Sequence, residues 1–187
     1  QPRTNFSFGS RRSLLMLDMF AEPRRKELRP YQIDAINLLK KSILAGNRRV
    51  VLALPTGGGK TLLASKIVEG ALAKGGRVVF CAPMISLINQ TIAEFEKEGI
   101  HDIGAIQASH PRTDPTARVQ VASVQTLVRR EVKPEASVVL VDEAHVYSLA
   151  IAEWRARSPE PVFIGLSAAP GRAGMSSEWQ DLVVGAT

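Results

Sequence analysis

Apolar residues in this chain fall into two kinds of stretch. Continuous runs, as in Val50-Val51-Leu52-Ala53-Leu54 and Val138-Val139-Leu140-Val141, show no polar alternation. Other stretches repeat their apolar residues three or four positions apart. The first kind predicts strands covered on both faces, and the second predicts helices. Strands are therefore expected at 50–54, 77–82, 103–106, 119–122, 138–141 and 162–166, with a last short element at 179–184. Helices are expected at 28–44, 61–73, 87–98, 124–130 and 148–155. Pro30 suits a first helical position, and Gly46-Asn47 ends that helix. Its apolar face is read as Ile33, Ile36, Leu39 and Ile43, broken by Lys40. Ser86 and Ser123 are expected to cap the helices that follow them. The polar, proline-bearing stretch 109–118 reads as a surface loop.

Strands alternating with helices predict an α/β fold, with a mostly parallel sheet and helices on both faces. Ligands in such sheets collect beyond the carboxyl ends of the strands. Residues 1–27 read as an N-terminal appendage or tail, with a short amphipathic stretch at 11–20. Residues 28–187 read as one domain.

Composition narrows the function. The chain has 187 residues, 45% of them hydrophobic and 22% charged, which fits a globular domain with a sizeable core. A formal net charge of +6 favours an anionic partner such as nucleic acid, though a merely basic surface would show the same charge. Aromatics are only 5%, which disfavours stacking of many bases. The single Cys81 excludes an internal disulfide, and His101, His110 and His145 lack metal-ligand spacing. No apolar run approaches the roughly 20 residues of a membrane helix, so no membrane partner is expected.

The strongest chemical signal is Leu54-Pro55-Thr56-Gly57-Gly58-Gly59-Lys60-Thr61, set between a strand and a helix. Its glycines can turn backbone N–H groups inward, and the helix N-terminus adds positive potential. Pro55, Thr56, Gly57, Gly58, Gly59, Lys60 and Thr61 are thus the candidate cradle for the phosphates of a nucleoside triphosphate. Lys60 would reach the outer phosphates, and the Thr61 hydroxyl would hold Mg²⁺. Leu54 stands where Gly or Ala usually begins this pattern. A second signal is the strand 138–141 ending in Asp142 and Glu143. Asp142 can bind Mg²⁺ opposite Thr61. Glu143, expected to point elsewhere, can polarise a water for attack on the γ-phosphate.

With Asp142-Glu143-Ala144-His145, the ordered motifs resemble the superfamily 2 DEAD/DEAH-box helicases and translocases, in their first RecA-like ATP-binding domain. The resemblance leans to bacterial and phage types related to restriction-enzyme translocating subunits. L-R-P-Y-Q at 28–32 resembles the adenine-recognition motif. A-P-M-I-S-L-I-N-Q at 82–90 and A-S-V-Q-T-L at 122–127 resemble two strand-contacting motifs. L-S-A-A-P at 166–170 resembles the coupling motif, usually L-S-A-T-P. The resemblance implies a RecA-like P-loop NTPase fold and ATP with Mg²⁺ as cofactors. It further implies that Gln32 bonds adenine with Arg29 or Tyr31 beside it; core packing serves Tyr31 equally well. Pro83, Ser86, Ser123, Gln125 and Thr126 would lie along a nucleic-acid backbone, DNA favoured over RNA. His145 would link the nucleotide site to the coupling motif, where Ala169 departs from threonine.

The implied activity is ATP hydrolysis driving movement along, or unwinding of, DNA, in a cytoplasmic, nucleoid-associated protein. The family's motor has a second RecA-like domain, which this stretch does not include, so weak binding and slow hydrolysis are expected here. Two rivals remain. A small-molecule kinase or GTPase would need a guanine-selecting motif or an arginine-rich lid, and neither is evident. A non-catalytic nucleotide-sensing or partner-docking module would have little use for intact Lys60, Thr61, Asp142 and Glu143.

Overall fold

The computed structural model describes residues 26–107, 109–144, 160–168 and 179–185. The expected helix at 148–155, together with His145, Ala169 and Pro170, lies outside the described residues. The elements in chain order are α1 (Pro30–Leu44), β1 (Arg49–Ala53), α2 (Lys60–Ala73) and β2 (Val78–Ala82). A 3-10 turn (Ile85–Leu87), α3 (Ile88–Lys97), β3 (Ile103–Ile106), β4 (Val119–Ser123) and α4 (Val124–Val128) follow. The last three elements are β5 (Val138–Asp142), β6 (Val162–Ser167) and β7 (Asp181–Val184).

Among the described residues seven strands join one sheet in the order β3-β4-β2-β5-β6-β1-β7, and every pairing is parallel. Strands β2, β3, β4 and β6 are buried at every position, as the unbroken apolar runs require. On one face α1, α2 and α3 bury Ala35, Leu39, Leu63, Val68, Ile92 and Phe95 against Val50, Leu52, Phe80 and Leu140. There the Phe80 and Phe95 rings meet edge to face, with centroids 5.3 Å apart. On the other face Val124 and Leu127 of α4 cover Val79, Cys81, Ala122, Val139 and Val141. Helices therefore cover both faces, and the fold is the RecA-like α/β P-loop NTPase fold.

Two local expectations change. Of the apolar face expected for α1, Leu39 is buried and Ile36 and Ile43 pack against the core, but Ile33 is exposed, and Gln32, Ala35 and Ser42 are buried as well. Gln32 faces inward onto the phosphate loop, and Ser42 donates to the Asp181 carboxylate at the neighbouring edge strand. Ser86 caps nothing: it sits exposed inside the 3-10 turn, and α3 starts at Ile88 with no side-chain cap. Ser123 does cap α4, its Oγ accepting from the Thr126 N–H at 3.2 Å.

The sheet beside the acidic pair depends on a glycine. A Cβ on Gly165 of β6 would lie 2.6 Å from Ala144 Cβ and 2.7 Å from the Trp179 ring. Only glycine lets the chain just past the acidic pair lie flat against the sheet.

Cys81 lies in β2, inside the sheet, and burial pushes its thiol pKa up to about 12. The thiolate is the reactive form. The folded chain is therefore expected to resist thiol-reactive dye at neutral pH and to label with one equivalent in denaturant. Rapid labelling of folded protein would contradict β2's central place.

Candidate nucleotide and nucleic-acid site

Because all the strands are parallel, every carboxyl end emerges at one edge of the sheet. The phosphate loop leaves β1 there, and Asp142 ends β5 there, with only β6 between them. The loop is tight. Gly58 N–H donates to Pro55 O at 2.8 Å, and Gly57 and Gly59 take φ of 76° and 73°. That left-handed region costs a glycine little and other residues much. Leu54 N–H is held by Ser167 O at 2.9 Å, which fastens the loop's entrance to the end of β6. Leu63 N–H bonds Gly59 O, so α2 starts directly from the loop. The N–H groups of its first residues then have no helical acceptor.

Lys60, the first residue of α2, turns its amine onto the acidic tip of β5. Its Nζ lies 2.5 Å from Glu143 Oε1 and 3.8 Å from Asp142 Oδ1. Glu143 therefore does not point elsewhere, as strand alternation led us to expect. Its φ of 52° takes it out of the extended region and returns its carboxylate to the side of Asp142. A non-glycine residue held at positive φ carries local strain of about 1–3 kcal/mol, a cost found often at functional sites. Glu143 N–H donates to Asp142 Oδ1 at 3.0 Å. Burial raises the Asp142 pKa above the ordinary carboxylate range; the Lys60 ammonium opposes this and the neighbouring Glu143 charge adds to it.

These groups suit a Mg²⁺–triphosphate. Two carboxylates share one amine, which leaves net negative charge for a divalent cation to offset. The loop adds N–H donors, and a Cβ on Gly57 would have nothing within 4 Å, so that flank is open. Thr61 is exposed beside it, as are Pro55 and Thr56. Among the described residues no cluster of three or more His, Cys, Asp or Glu could hold a metal ion by itself. The phosphates would have to complete the coordination.

A cavity of about 640 Å³ runs from Gly57, Gly59 and Thr61 past Arg29, Tyr31 and Gln32 to Gln90, Glu94 and Glu98. Lys26 and Glu27, assigned to the appendage from sequence, also line it. Gln32 is only 2% exposed, and both ends of its amide are engaged. Nε2 donates to Gly58 O at 2.8 Å, and Oε1 accepts from Arg29 N–H at 2.9 Å. The Tyr31 ring packs against the core, as one of its two readings had it, and its hydroxyl donates to the same Gly58 O at 3.0 Å. Sequence reasoning missed this contact.

The candidate nucleic-acid residues emerge at the same edge, on adjacent strands. Pro83 and Ser86 follow β2, while Ser123 ends β4 and Gln125 and Thr126 follow it. Ser86 and Gln125 are exposed, Pro83 and Thr126 are half-buried, and Ser123 is buried and bonded to Thr126. Met84 and Ile85, 60% and 44% exposed, stand beside them and were not singled out from the sequence. His145 lies outside the described residues.

The sign of the Asp142 shift gives a prediction. With its folded pKa raised, Asp142 favours folding most below its unfolded value, and that contribution is lost as pH rises through the folded value. In magnesium-free buffer, Asp142→Asn is expected to raise the melting temperature at pH 7. The gain should shrink as pH falls through the carboxylate range. A melting temperature lowered equally at both ends would contradict it.

The comparisons with known proteins agree with this geometry. Residues 25–172 match the family described as type III restriction enzyme, res subunit. The type I restriction enzyme EcoKI endonuclease subunit of Escherichia coli (strain K12) is 30% identical over 137 residues, covering 63% of this chain and 11% of that protein. The chain spans 11–12% of the length of the curated relatives it matches. Among solved structures, the UvsW helicase from bacteriophage T4 superposes with a TM-score of 0.69 at 22% identity, over 94% of this chain and 67% of that one. The Sulfolobus solfataricus SWI2/SNF2 ATPase core in complex with dsDNA superposes at 0.64 and 20% identity, over 85% and 36%. The chain belongs to the type III restriction enzyme res-subunit family and is a RecA-like domain of the superfamily 2 helicase type.

Proposed function

We propose that this chain is the first ATP-binding motor domain of a nucleic-acid-dependent ATPase that hydrolyses ATP to move along or unwind DNA. The observation that carries the reading is the convergence of Lys60 with Asp142 and Glu143 under the glycine turn. Membership of a restriction-enzyme family supports it. That EcoKI is a restriction enzyme and that the SWI2/SNF2 core was solved with dsDNA favour DNA over RNA. The same proposal assigns the protein a cytoplasmic, nucleoid-associated setting. Among the described residues no helix is long and apolar enough to cross a membrane.

In this reading Thr61 and Asp142 would hold Mg²⁺, which when bound neutralises charge on the triphosphate. The loop N–H groups orient the phosphates. Lys60 leaves Glu143 for the outer phosphates, which frees Glu143 Oε1 to take a proton from the attacking water. In-line attack forms the bond from that water to the γ-phosphorus as the bond to the β–γ bridging oxygen breaks, giving phosphate and ADP. Pro83, Ser86, Gln125 and Thr126 would lie along the nucleic-acid backbone, where hydroxyls and amides position a strand without reading its sequence, while the buried Ser123 holds Thr126 in place instead of touching the strand. His145 relays between the nucleotide and the coupling motif. A second RecA-like domain would supply the arginines that can raise such rates by about 10³–10⁵.

Two measurements test the reading. Lys60→Ala should weaken Mg²⁺–ATP binding by about tenfold to a hundredfold, the worth of a charge-assisted contact. Titration of fluorescent ATP analogue checks this, and equal affinity in both proteins would remove the phosphate role. In filter binding from about 50 to 200 mM salt, single-stranded and duplex DNA should be retained, with affinity falling steeply as salt rises. Retention of RNA alone would overturn the DNA preference, and retention of no nucleic acid would favour a nucleotide-sensing module.

A further inference from the structure

The carbonyl of Gly58 accepts two side-chain hydrogen bonds at once. The Tyr31 hydroxyl donates at 3.0 Å and Gln32 Nε2 at 2.8 Å. Both donors sit in the first turn of α1, so both lone pairs of this one oxygen are drawn to the same side. Across a trans peptide the next N–H points opposite to the carbonyl. Fixing the Gly58 oxygen toward α1 therefore fixes the Gly59 N–H away from it.

That peptide needs holding. It joins Gly58 to Gly59, and Gly57 and Gly59 are both at positive φ, so no Cβ resists its rotation. A flipped peptide would offer an anion a carbonyl oxygen in place of an N–H. The Gln32 side chain fits the turn closely: a Cβ on Gly59 would lie 2.5 Å from its Nε2. Gln32 is itself held by the Arg29 N–H, and the Tyr31 ring packs on the core beneath α1.

We propose that the Tyr31 hydroxyl is a positioning residue for the phosphate loop: with Gln32 it locks the Gly58–Gly59 peptide in the orientation that binds anions. This deepens the nucleotide-binding reading and rests on it. Tyr31 acts on the phosphate end of the ligand through the loop, not on the base through its ring. The cavity lined by Arg29, Tyr31 and Gln32 thereby becomes mechanically continuous with the phosphate cradle.

The test uses the 187-residue chain with two probes, Mg²⁺–ATP and Mg²⁺–tripolyphosphate; the second has no base. Tyr31→Phe keeps the ring and removes only the donor. It should weaken both probes by the same factor, about threefold to tenfold. Gln32→Ala should weaken both as well. A loss confined to ATP, with tripolyphosphate binding unchanged, would assign Tyr31 to the base and overturn the proposal. Hydrogen–deuterium exchange over residues 55–62 of ligand-free protein gives a readout independent of any nucleotide. Exchange there should quicken in Tyr31→Phe, and an unchanged rate would also overturn the proposal. If the unsubstituted chain binds neither probe, the nucleotide-binding reading falls, while the exchange measurement still decides whether Tyr31 holds the loop.

Discussion

A single ammonium group placed against two carboxylates organises the working edge of this sheet. Lys60 and Glu143 are 83 positions apart in sequence, yet their charged atoms are in contact. The contact exists because β1 and β5 run the same way on either side of β6, so a loop leaving one and an acid ending the other reach the same point. An antiparallel β5 would send its terminal acids to the far edge. Parallel direction is in turn enforced by composition, since strands buried on both faces must be covered by the helices that connect them.

The same geometry places the two halves of the proposed motor within mechanical reach. Adjacent strands lie about 4.8 Å apart, so β5 is one step from β2, whose end carries Pro83 and Ser86. In the proposed motor, a change at the Asp142–Glu143 tip would have only one strand to cross to reach the end of β2. Close-packed interiors transmit small displacements because they have few voids to absorb them. Gly165 serves this arrangement from below, by letting the residue after the acidic pair lie against β6.

Much of this was legible in the sequence because the signals were local. Unbroken apolar runs marked the strands, and Ile103–Ile106 matches its expected bounds. Ser123 worked as a cap because serine followed by a short helix is a contact within three residues. Ser86 shared that local pattern and failed, because a 3-10 turn intervened before the helix proper. The side-chain geometry of the candidate site was harder to read because it is set by distant partners. The inward turn of Gln32 answers to Gly58, 26 positions away, so the apolar spacing of α1 gave no sign of it. The return of Glu143 toward Lys60 depends on a positive φ that residue-type preference disfavours. Tyr31 could be read from sequence only as an aromatic ring, whereas its hydroxyl makes the loop contact.

The order of the strands has a consequence for how the molecule comes into being. Strand β1, which launches the phosphate loop, pairs with β6 and β7, both more than 100 residues further along the chain. On a ribosome, β1 is made before both its neighbours and waits with neither until those segments emerge. Long-range parallel pairings of this kind close slowly. The anion cradle is thus among the last features of this domain to be assembled, and a nascent chain cannot draw stability from bound ligand until β6 and β7 have been made.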